Sequence, residues 1–319
     1  MSAEPYSLAG KRLWVAGHTG MVGASLVRRL QREDVEILTA TRQQLDLTCQ
    51  RDVEQWIGDN KPDGIFLAAA KVGGIHANDT LPAQFLYDNL AIQSNVIHSA
   101  YRHGVARLLF LGSSCIYPRA CPQPMREEHL LTGPLEATNQ WYAIAKIAGL
   151  KLCQAYSKQY GCSYIATMPT NLYGPGDNYH PLHSHVPAAL LRRFHEAKQA
   201  QAARVVVWGS GKPLREFLHV DDLAEACIFL MKQTAHAEPV NIGTGKEISI
   251  RAFAETVARI VGYSGSIEFD NTKPDGSPRK LLDVSRMRAL GWTSTIDLQD
   301  GLQNAYQWFI DNQDTLRSV

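Results

Sequence analysis

The chain has 319 residues, of which 45% are hydrophobic and 20% charged, so it can bury a sizeable core. Its 32 Lys and Arg balance 31 Asp and Glu to a net charge of +1. No global charge therefore favours nucleic acid or a membrane surface, and any anion site has to be local. No run approaches the ~20 apolar residues of a membrane span, and residues 1–12 lack an apolar signal core, so we expect a cytoplasmic protein.

Apolar runs of strand length alternate with helical segments through the first half of the chain. A strand at 11–16 ends at Gly17, and an amphipathic helix follows from 21 to 32. The pattern continues with predicted strands near 35–40, 64–69, 107–111 and 163–168, and with predicted helices near 51–60, 82–102 and 141–160. Strands that are apolar on both faces and separated by helices predict an α/β fold with a Rossmann-type, doubly wound parallel sheet.

After Pro169 the composition changes to loops rich in Pro, Gly and His, which predicts a smaller C-terminal α/β substrate domain. We assign residues 1–172 to the nucleotide-binding domain and 173–319 to the substrate domain, and expect segments near 216–245 to return to the large sheet. Further strands are predicted near 205–208 and 267–269, and further helices near 186–198, 222–232, 250–261 and 298–312.

A glycine-rich turn joins the first strand to the first helix. Its Gly-x-x-Gly-x-x-Gly spacing turns bare amides and a helix N-terminus towards a pyrophosphate. The turn consists of Gly17, His18, Thr19, Gly20, Met21, Val22 and Gly23.

The end of the second strand predicts the cofactor type. NAD-binding chains carry an acid there for the ribose hydroxyls, whereas this chain has Arg42. A guanidinium pairs with a ribose 2′-phosphate, so NADP(H) is favoured over NAD(H), although an exposed surface arginine is the plain alternative. Asp46 and Leu47, just beyond, are candidates to flank the adenine.

Ser113, Tyr142 and Lys146 form a candidate set for hydride chemistry. Tyr142 and Lys146 are four residues apart, so they share one helix face, and we expect the ammonium to lower the pKa of the phenol. Tyr142 would protonate a carbonyl oxygen as hydride arrives, Ser113 would orient the carbonyl, and Lys146 would bind ribose hydroxyls. The alternative is a packed tyrosine beside a lysine that reaches solvent.

Cys115 lies two residues after Ser113, and a thiol has no task in ketone reduction. It therefore indicates a second reaction at carbon, because a thiolate can remove a proton acidified by the neighbouring carbonyl. His185 is the candidate acid on the opposite face. Inert packing of the thiol and a loop or core role for the histidine remain open alternatives. His180, His183 and His185 are too weak a pattern for a metal site, and we expect none.

Together these segments resemble the extended short-chain dehydrogenase/reductase family almost end to end. The resemblance rests on residues 68–74, 111–118, 142–149, 168–175, 184–186, 207–211, 215–222 and 273–280. Within that family it points to the homodimeric 3,5-epimerase/4-reductases that convert GDP-4-keto-6-deoxy-D-mannose to GDP-L-fucose.

The resemblance implies a role for each candidate residue. Cys115 and His185 would epimerise C3″ and C5″ through enolates, and Ser113, Tyr142 and Lys146 would serve reduction of the C4″ ketone by NADPH. Further cofactor contacts would come from Leu111, Gly112, Ser113, Ser114, Lys146, Pro169, Thr170, Asn171, Leu172 and His185. The sugar nucleotide would be held by Arg193, Trp208, Arg215, Asp275 and Lys280.

Two departures from the family pattern affect these expectations. Thr19 stands where the family often has arginine, which predicts the loss of one phosphate contact, and Gln140-Trp141 replaces a common Glu-Pro before the tyrosine. The helices near 82–102 and 141–160 have apolar faces that fit a homodimer bundle and equally fit packing on the sheet.

Two other functions are weighed against the bifunctional one. A sugar-nucleotide 4-epimerase or dehydratase would recycle a tightly held NAD, which Arg42 and Cys115 argue against. A non-catalytic NADP-sensing protein would have lost part of the hydride-transfer set, which is intact here.

Overall fold

The computed structural model describes residues 6–181, 184–233, 238–273 and 275–316. Within these ranges the strands are β1 (Lys11–Ala16), β2 (Val35–Leu38), β3 (Gly64–Leu67), β4 (Arg107–Leu111), β5 (Ser163–Pro169), β6 (Asn171–Tyr173), β7 (Arg204–Trp208), β8 (Leu214–Arg215), β9 (Phe217–His219), β10 (Val240–Ile242), β11 (Ile248–Ser249), β12 (Ser266–Asp270) and β13 (Arg279–Lys280). The α-helices are α1 (Met21–Leu30), α2 (Gln50–Asn60), α3 (Ile75–Thr80), α4 (Pro82–Arg102), α5 (Gln140–Tyr160), α6 (Val186–Gln199), α7 (Val220–Lys232), α8 (Ile250–Val261), α9 (Ser285–Leu290) and α10 (Leu298–Asp311).

The large sheet is parallel, with strand order β2-β1-β3-β4-β5-β10. The order reverses at β1, so the crevice after β1 is the switch point at which such sheets bind ligands. The predicted Rossmann-type fold is confirmed. Helices α3 and α9, of six residues each, were not predicted, because segments that short carry little periodicity.

Both faces of the sheet are covered, which explains why β3 and β4 are buried along their whole length. On one face α2, α4 and α5 supply apolar side chains such as Val53, Val96 and Leu150. On the other face α1 and α7 supply Leu26 and Ile228. Burial on two sides removes the need for polar alternation and produces the continuous apolar runs of the sequence.

Strand β10 pairs with β5, with Ile242 opposite Pro169, so the chain returns to the large sheet after a long excursion. A third hydrophobic cluster lies outside the sheet and includes Leu191, Phe194 and Phe253. Short sheets border this cluster: β7 pairs with β12, and β8 lies between β11 and β13. The division at residues 172 and 173 stays a prediction. None of the helices in the described ranges has the length and apolarity to cross a membrane.

Candidate active site

The glycine turn after β1 is packed so tightly that two of its glycines admit no side chain. Gly17 has φ +89°, and a Cβ there would lie 2.7 Å from the Cα of Ala69. A Cβ on Gly23 would lie 2.1 Å from the carbonyl oxygen of Gly17. Helix α1 begins after Gly20 with no side-chain cap and no acid in its first turn. Its amide groups are therefore available to an anion, as a dinucleotide pyrophosphate requires.

Arg42 lies exposed after β2 in the same crevice. Asp46 accepts hydrogen bonds from Thr48, 2.9 Å from its amide and 2.7 Å from its hydroxyl, and these bonds, more than Arg42, lower the pKa of its carboxyl. Leu47 packs against the core of the large sheet. Arg42 thus follows the strand that pairs with β1, at the carboxyl edge of the sheet.

The hydride-transfer candidates converge at the carboxyl end of β4. Ser113 caps the short 3-10 turn Ser114–Ile116, and its Oγ accepts from the amide of Cys115 at 3.3 Å. Lys146, only 3% exposed, donates from Nζ to the carbonyl of Leu111 at 2.7 Å. Its Nζ lies 5.6 Å from the ring centre of Tyr142, one turn earlier on α5. The amide of Gly112 donates to Thr167 at 2.8 Å, which holds this edge against β5.

The expected lowering of the Tyr142 pKa by Lys146 is not found in the ligand-free cleft. Burial raises the pKa of Tyr142, and Cys115 raises it further. Burial lowers the pKa of Lys146 to about 8. The ammonium is drawn to the Leu111 carbonyl rather than to the phenol oxygen, so the phenol stays a neutral proton donor.

Cys115 is 8% exposed and lies among the same groups. Burial raises the pKa of its thiol, while Lys280, Ser113 and Lys146 act to lower it. His185 immediately precedes α6, and its side chain is partly open to solvent. The pKa of its imidazole is lowered first because nearby protein atoms displace water from the ring, and second by the charge of Lys280. The charge of Lys280 therefore acts on both proposed proton-transfer groups.

A second wall carries the predicted sugar-nucleotide residues. Strand β13 runs parallel to β8 with Lys280 opposite Arg215. Asp275 accepts from Ser210, 2.8 Å from its amide and 2.6 Å from its hydroxyl. The Trp208 side chain is 66% exposed at the end of β7, with the Nζ of Lys273 5.5 Å from its ring centre.

Arg193 donates to the carbonyl of Val206, two residues before Trp208, at 3.0 Å. This side of the site thus combines the cations of Arg193, Arg215 and Lys280 with the exposed indole of Trp208. It can neutralise a diphosphate and stack on a base.

The segment predicted to lie beside the nicotinamide follows β5 without a break. Thr170 donates from its amide to Ile242 at 3.0 Å and from its hydroxyl to the Glu216 carbonyl at 3.3 Å. Asn171 donates to the same carbonyl at 2.9 Å. Pro169 ends β5, and Leu172 packs against the sheet core.

His183 lies outside the described residues. Among the residues described, His180 and His185 belong to no group of three or more side chains that could hold a metal ion.

Glu216, a carboxylate at this site with no exposed surface, was not predicted from the sequence. Its position between Arg215 and an apolar strand was the available signal, since a charged residue inside an apolar run is rarely buried without partners.

These features define the class of protein. The chain is a nicotinamide-dependent enzyme of the extended short-chain dehydrogenase/reductase class, because it joins a nucleotide-binding crevice to a phenol and an ammonium on one helix, opposite a group of cations. The profile of the NAD dependent epimerase/dehydratase family matches residues 13–243, and the chain belongs to that family.

The chain is similar to putative GDP-L-fucose synthase 2 of Arabidopsis thaliana, with 59% identity over 94% of this chain and 92% of that one. It is 54% identical to GDP-L-fucose synthase of Escherichia coli strain K12, over 97% and 100% of the two chains. Among solved structures, a GDP-L-fucose synthetase from Naegleria fowleri bound to NADP superposes with a TM-score of 0.92 at 26% identity, covering 99% of each chain.

Proposed function

We propose that the protein is a bifunctional NADPH-dependent enzyme that epimerises GDP-4-keto-6-deoxy-D-mannose at C3″ and C5″ and then reduces its C4″ ketone, giving GDP-L-fucose. One observation carries the proposal: Cys115 lies within the hydride-transfer set, its amide bonded to Ser113 and its thiol in the field of Lys146 and Lys280. A reductase alone does not need that thiol. The similarity to GDP-L-fucose synthases supports the substrate.

In the reduction, residues of this chain supply the proton that the ketone oxygen gains. NADPH, when bound, supplies the hydride to C4″. The neutral phenol of Tyr142 gives its proton to O4″, and burial of that phenol keeps it protonated until the transfer. Ser113 holds the ketone oxygen, and Lys146, which donates to the Leu111 carbonyl, is proposed to bind the ribose hydroxyls and to stabilise the tyrosinate.

In the epimerisations, the same ketone makes the protons at C3″ and C5″ acidic. One group removes a proton from one face, the electron pair moves onto O4″, and a second group returns a proton to the other face. Ser113 and Tyr142 hydrogen bond the enolate oxygen. Cys115 and His185 are the proposed pair. Either group can act as the base at either carbon. The group that is deprotonated when the substrate binds is the base, and the group that is protonated is the acid.

NADP(H) is the proposed cofactor because Arg42 is an exposed cation where an acid would bind unphosphorylated NAD. Arg193, Trp208, Arg215, Asp275 and Lys280 are proposed to hold the GDP moiety and the diphosphate. We place the enzyme in the cytoplasm, where its cysteines would stay reduced.

A homodimer through α4 and α5 is proposed as the assembly. Both helices pack on the sheet, yet Tyr87 on α4 stays 69% exposed, and Trp141 and Ile144 on α5 stay 38% and 39% exposed. An exposed patch of large apolar side chains on two adjacent helices is typical of a subunit interface.

The test combines turnover with exchange. The purified protein is mixed with NADPH and GDP-4-keto-6-deoxy-D-mannose in deuterated water, NADPH oxidation is followed by absorbance, and deuterium at C3″ and C5″ is followed by NMR. We expect one NADPH to be oxidised per GDP-L-fucose formed. Absence of oxidation with fresh substrate would rule the proposal out, and NAD retained through purification would favour the 4-epimerase or dehydratase alternative.

Two variants separate the two reactions. Cys115→Ser is expected to lose nearly all exchange at C3″ and C5″, because an alcohol is far harder to ionise than a thiol. Tyr142→Phe is expected to lose hydride transfer while exchange remains detectable. Loss of exchange at one carbon in Cys115→Ser, with exchange at the other carbon retained, would assign the base role at the first carbon to the Cys115 thiolate. Normal exchange in Cys115→Ser would remove the thiol from the mechanism.

A further inference from the structure

Glu216 is a fully buried carboxylate that neither proposed reaction uses. Its Oε1 accepts from the amide of Gly245 at 2.7 Å, and its Oε2 accepts from the amide of Leu282 at 3.0 Å. The hydroxyl of Thr244 lies 3.4 Å from Oε1. Burial raises the pKa of this carboxyl, and the amide donors that reach both oxygens act against that rise; the ionised carboxylate accepts from all of them. One side chain therefore joins two segments that are far apart in the chain.

One of these segments carries Lys280. Leu282 follows it by two residues, and β13 places Lys280 directly beside Arg215, the neighbour of Glu216 in sequence. The amide of Leu281 donates to Oε1 of Gln123 at 2.8 Å. The backbone that carries Lys280 is thus held by its pairing with β8, by backbone hydrogen bonds with Met125, by Gln123 and by Glu216, whose carboxyl is the buried ionisable group among these anchors.

The backbone carbonyl of Glu216 faces the other half of the cleft. It accepts from Asn171 at 2.9 Å and from Thr170 at 3.3 Å, on the segment proposed to lie beside the nicotinamide. Glu216 therefore contacts the segment that carries Lys280 through its side chain. It contacts the segment proposed to lie beside the nicotinamide through its main-chain carbonyl. A change confined to the side chain leaves the second set of contacts in place.

We propose that Glu216 is a positioning residue whose carboxylate fixes the Lys280 ammonium relative to Arg215 and Cys115, and so aligns the sugar-nucleotide wall with the site of proton transfer. The kinetic part of this inference rests on the proposed function.

The surroundings of Lys280 explain why its placement matters. It is half-buried beside Arg215, and it interacts electrostatically with Cys115, His185 and Glu136. Cys115 is faced by Lys280, Lys146, Ser113 and the phenol of Tyr142. Burial raises the pKa of the thiol, and Lys280 is the strongest opposing influence. A Lys280 that moves away leaves less thiolate at a given pH.

Glu216→Gln is the informative variant, because it keeps the size of the side chain. Its amide group must face either Gly245 or Leu282, and N–H then opposes N–H. We expect KM for the sugar nucleotide to rise about tenfold or more, with the NADPH dissociation constant unchanged within about twofold. Glu216→Asp keeps the charge but is one methylene shorter, so an intermediate KM is expected.

Glu127→Gln is the matched control. Glu127 is also buried, and its Oε1 accepts from the amide of Asn241 at 3.0 Å, on β10 rather than on the segment that carries Lys280. This variant should lose stability with little change in KM. Lys280→Gln and the double variant Glu216→Gln/Lys280→Gln complete a double-mutant cycle with the wild type. If Glu216 acts through Lys280, the loss caused by Glu216→Gln should largely disappear in the Lys280→Gln background.

A readout independent of turnover separates this inference from the proposed function. The rate of iodoacetamide alkylation of Cys115 is measured against pH by mass spectrometry of its peptide, without any sugar nucleotide. We expect Glu216→Gln and Lys280→Gln to shift the profile to higher pH, and Glu127→Gln to leave it in place. A profile and KM unchanged by Glu216→Gln, with only a lower melting temperature, would reduce Glu216 to a structural role. A shifted profile without NADPH oxidation by the wild type would retain the positioning role and reject the proposed function.

Discussion

Lys146→Met is expected to abolish ketone reduction and yet to stabilise the ligand-free protein near neutral pH. Lys146 is buried on the Leu111 carbonyl, and burial lowers its pKa from 10.5 to about 8. That fall corresponds to roughly 3 kcal/mol, at about 1.4 kcal/mol per pKa unit. Loss of the charged hydrogen bond to Leu111 offsets about 1.5–3 kcal/mol of it. The net gain in the free energy of unfolding is then about 1 kcal/mol.

The sign of the pH dependence follows from the direction of the pKa change. Between pH 8 and about 10.5 the unfolded wild type holds one more proton at Lys146 than the folded protein, so wild-type stability rises with pH in this window. Methionine has no such dependence. The advantage of the variant should therefore be largest below pH 8 and should disappear as the pH approaches 10.

Urea unfolding of both ligand-free proteins between pH 6 and pH 10 measures this difference. Lys151→Met, which replaces an exposed lysine of the same helix, is the control and should show a difference from wild type that does not vary with pH. A Lys146→Met difference that is flat from pH 7 to pH 10 would refute the reasoning. So would a variant about 2 kcal/mol less stable than wild type at pH 7, since the hydrogen bond would then outweigh burial of the charge.

Three further outcomes are expected. Gly23→Ala should abolish NADPH binding, because its Cβ would lie 2.1 Å from the Gly17 carbonyl, whereas Gly20→Ala, with 3.4 Å to the same oxygen, should bind NADPH measurably in a fluorescence titration. Arg42→Ala should weaken NADPH binding about tenfold to a hundredfold and leave NADH binding unchanged, and equal losses for both cofactors would contradict the 2′-phosphate assignment. Tyr87→Asp, at a 69% exposed position, should shift the mass measured by light scattering from dimer to monomer, and an unchanged mass would exclude this surface as the interface.

Much of the first half of the fold was predictable from the chain because its signals are local. The predicted helix at 82–102 and strand at 107–111 coincide with α4 and β4, since long periodic runs and buried strands leave a clear pattern. The short helices α3 and α9 escaped prediction for the opposite reason. A return of segments near 216–245 to the large sheet was predicted, but only strand pairing shows that β10 lies next to β5.

The electrostatics of the site could not be read from residue spacing. The four-residue interval between Tyr142 and Lys146 predicts one helix face, which α5 provides. It also predicted a lowered pKa for the phenol, and that was wrong for the ligand-free cleft, because burial and the nearby thiol outweigh the ammonium. Desolvation depends on all the atoms around a group, and most of them come from distant parts of the chain.

The class of fold, the glycine turn, the residues of the hydride-transfer set and the thiol among them are readable from the chain alone. These features are set by short stretches in which backbone sterics and hydrophobic period act locally. The folded structure was needed to show that Lys280 lies on a strand beside Arg215, that its charge acts on both Cys115 and His185, and that Glu216 joins the segments around them. A buried charge has to be satisfied by partners wherever the chain supplies them, and those partners become identifiable only when the fold brings them together.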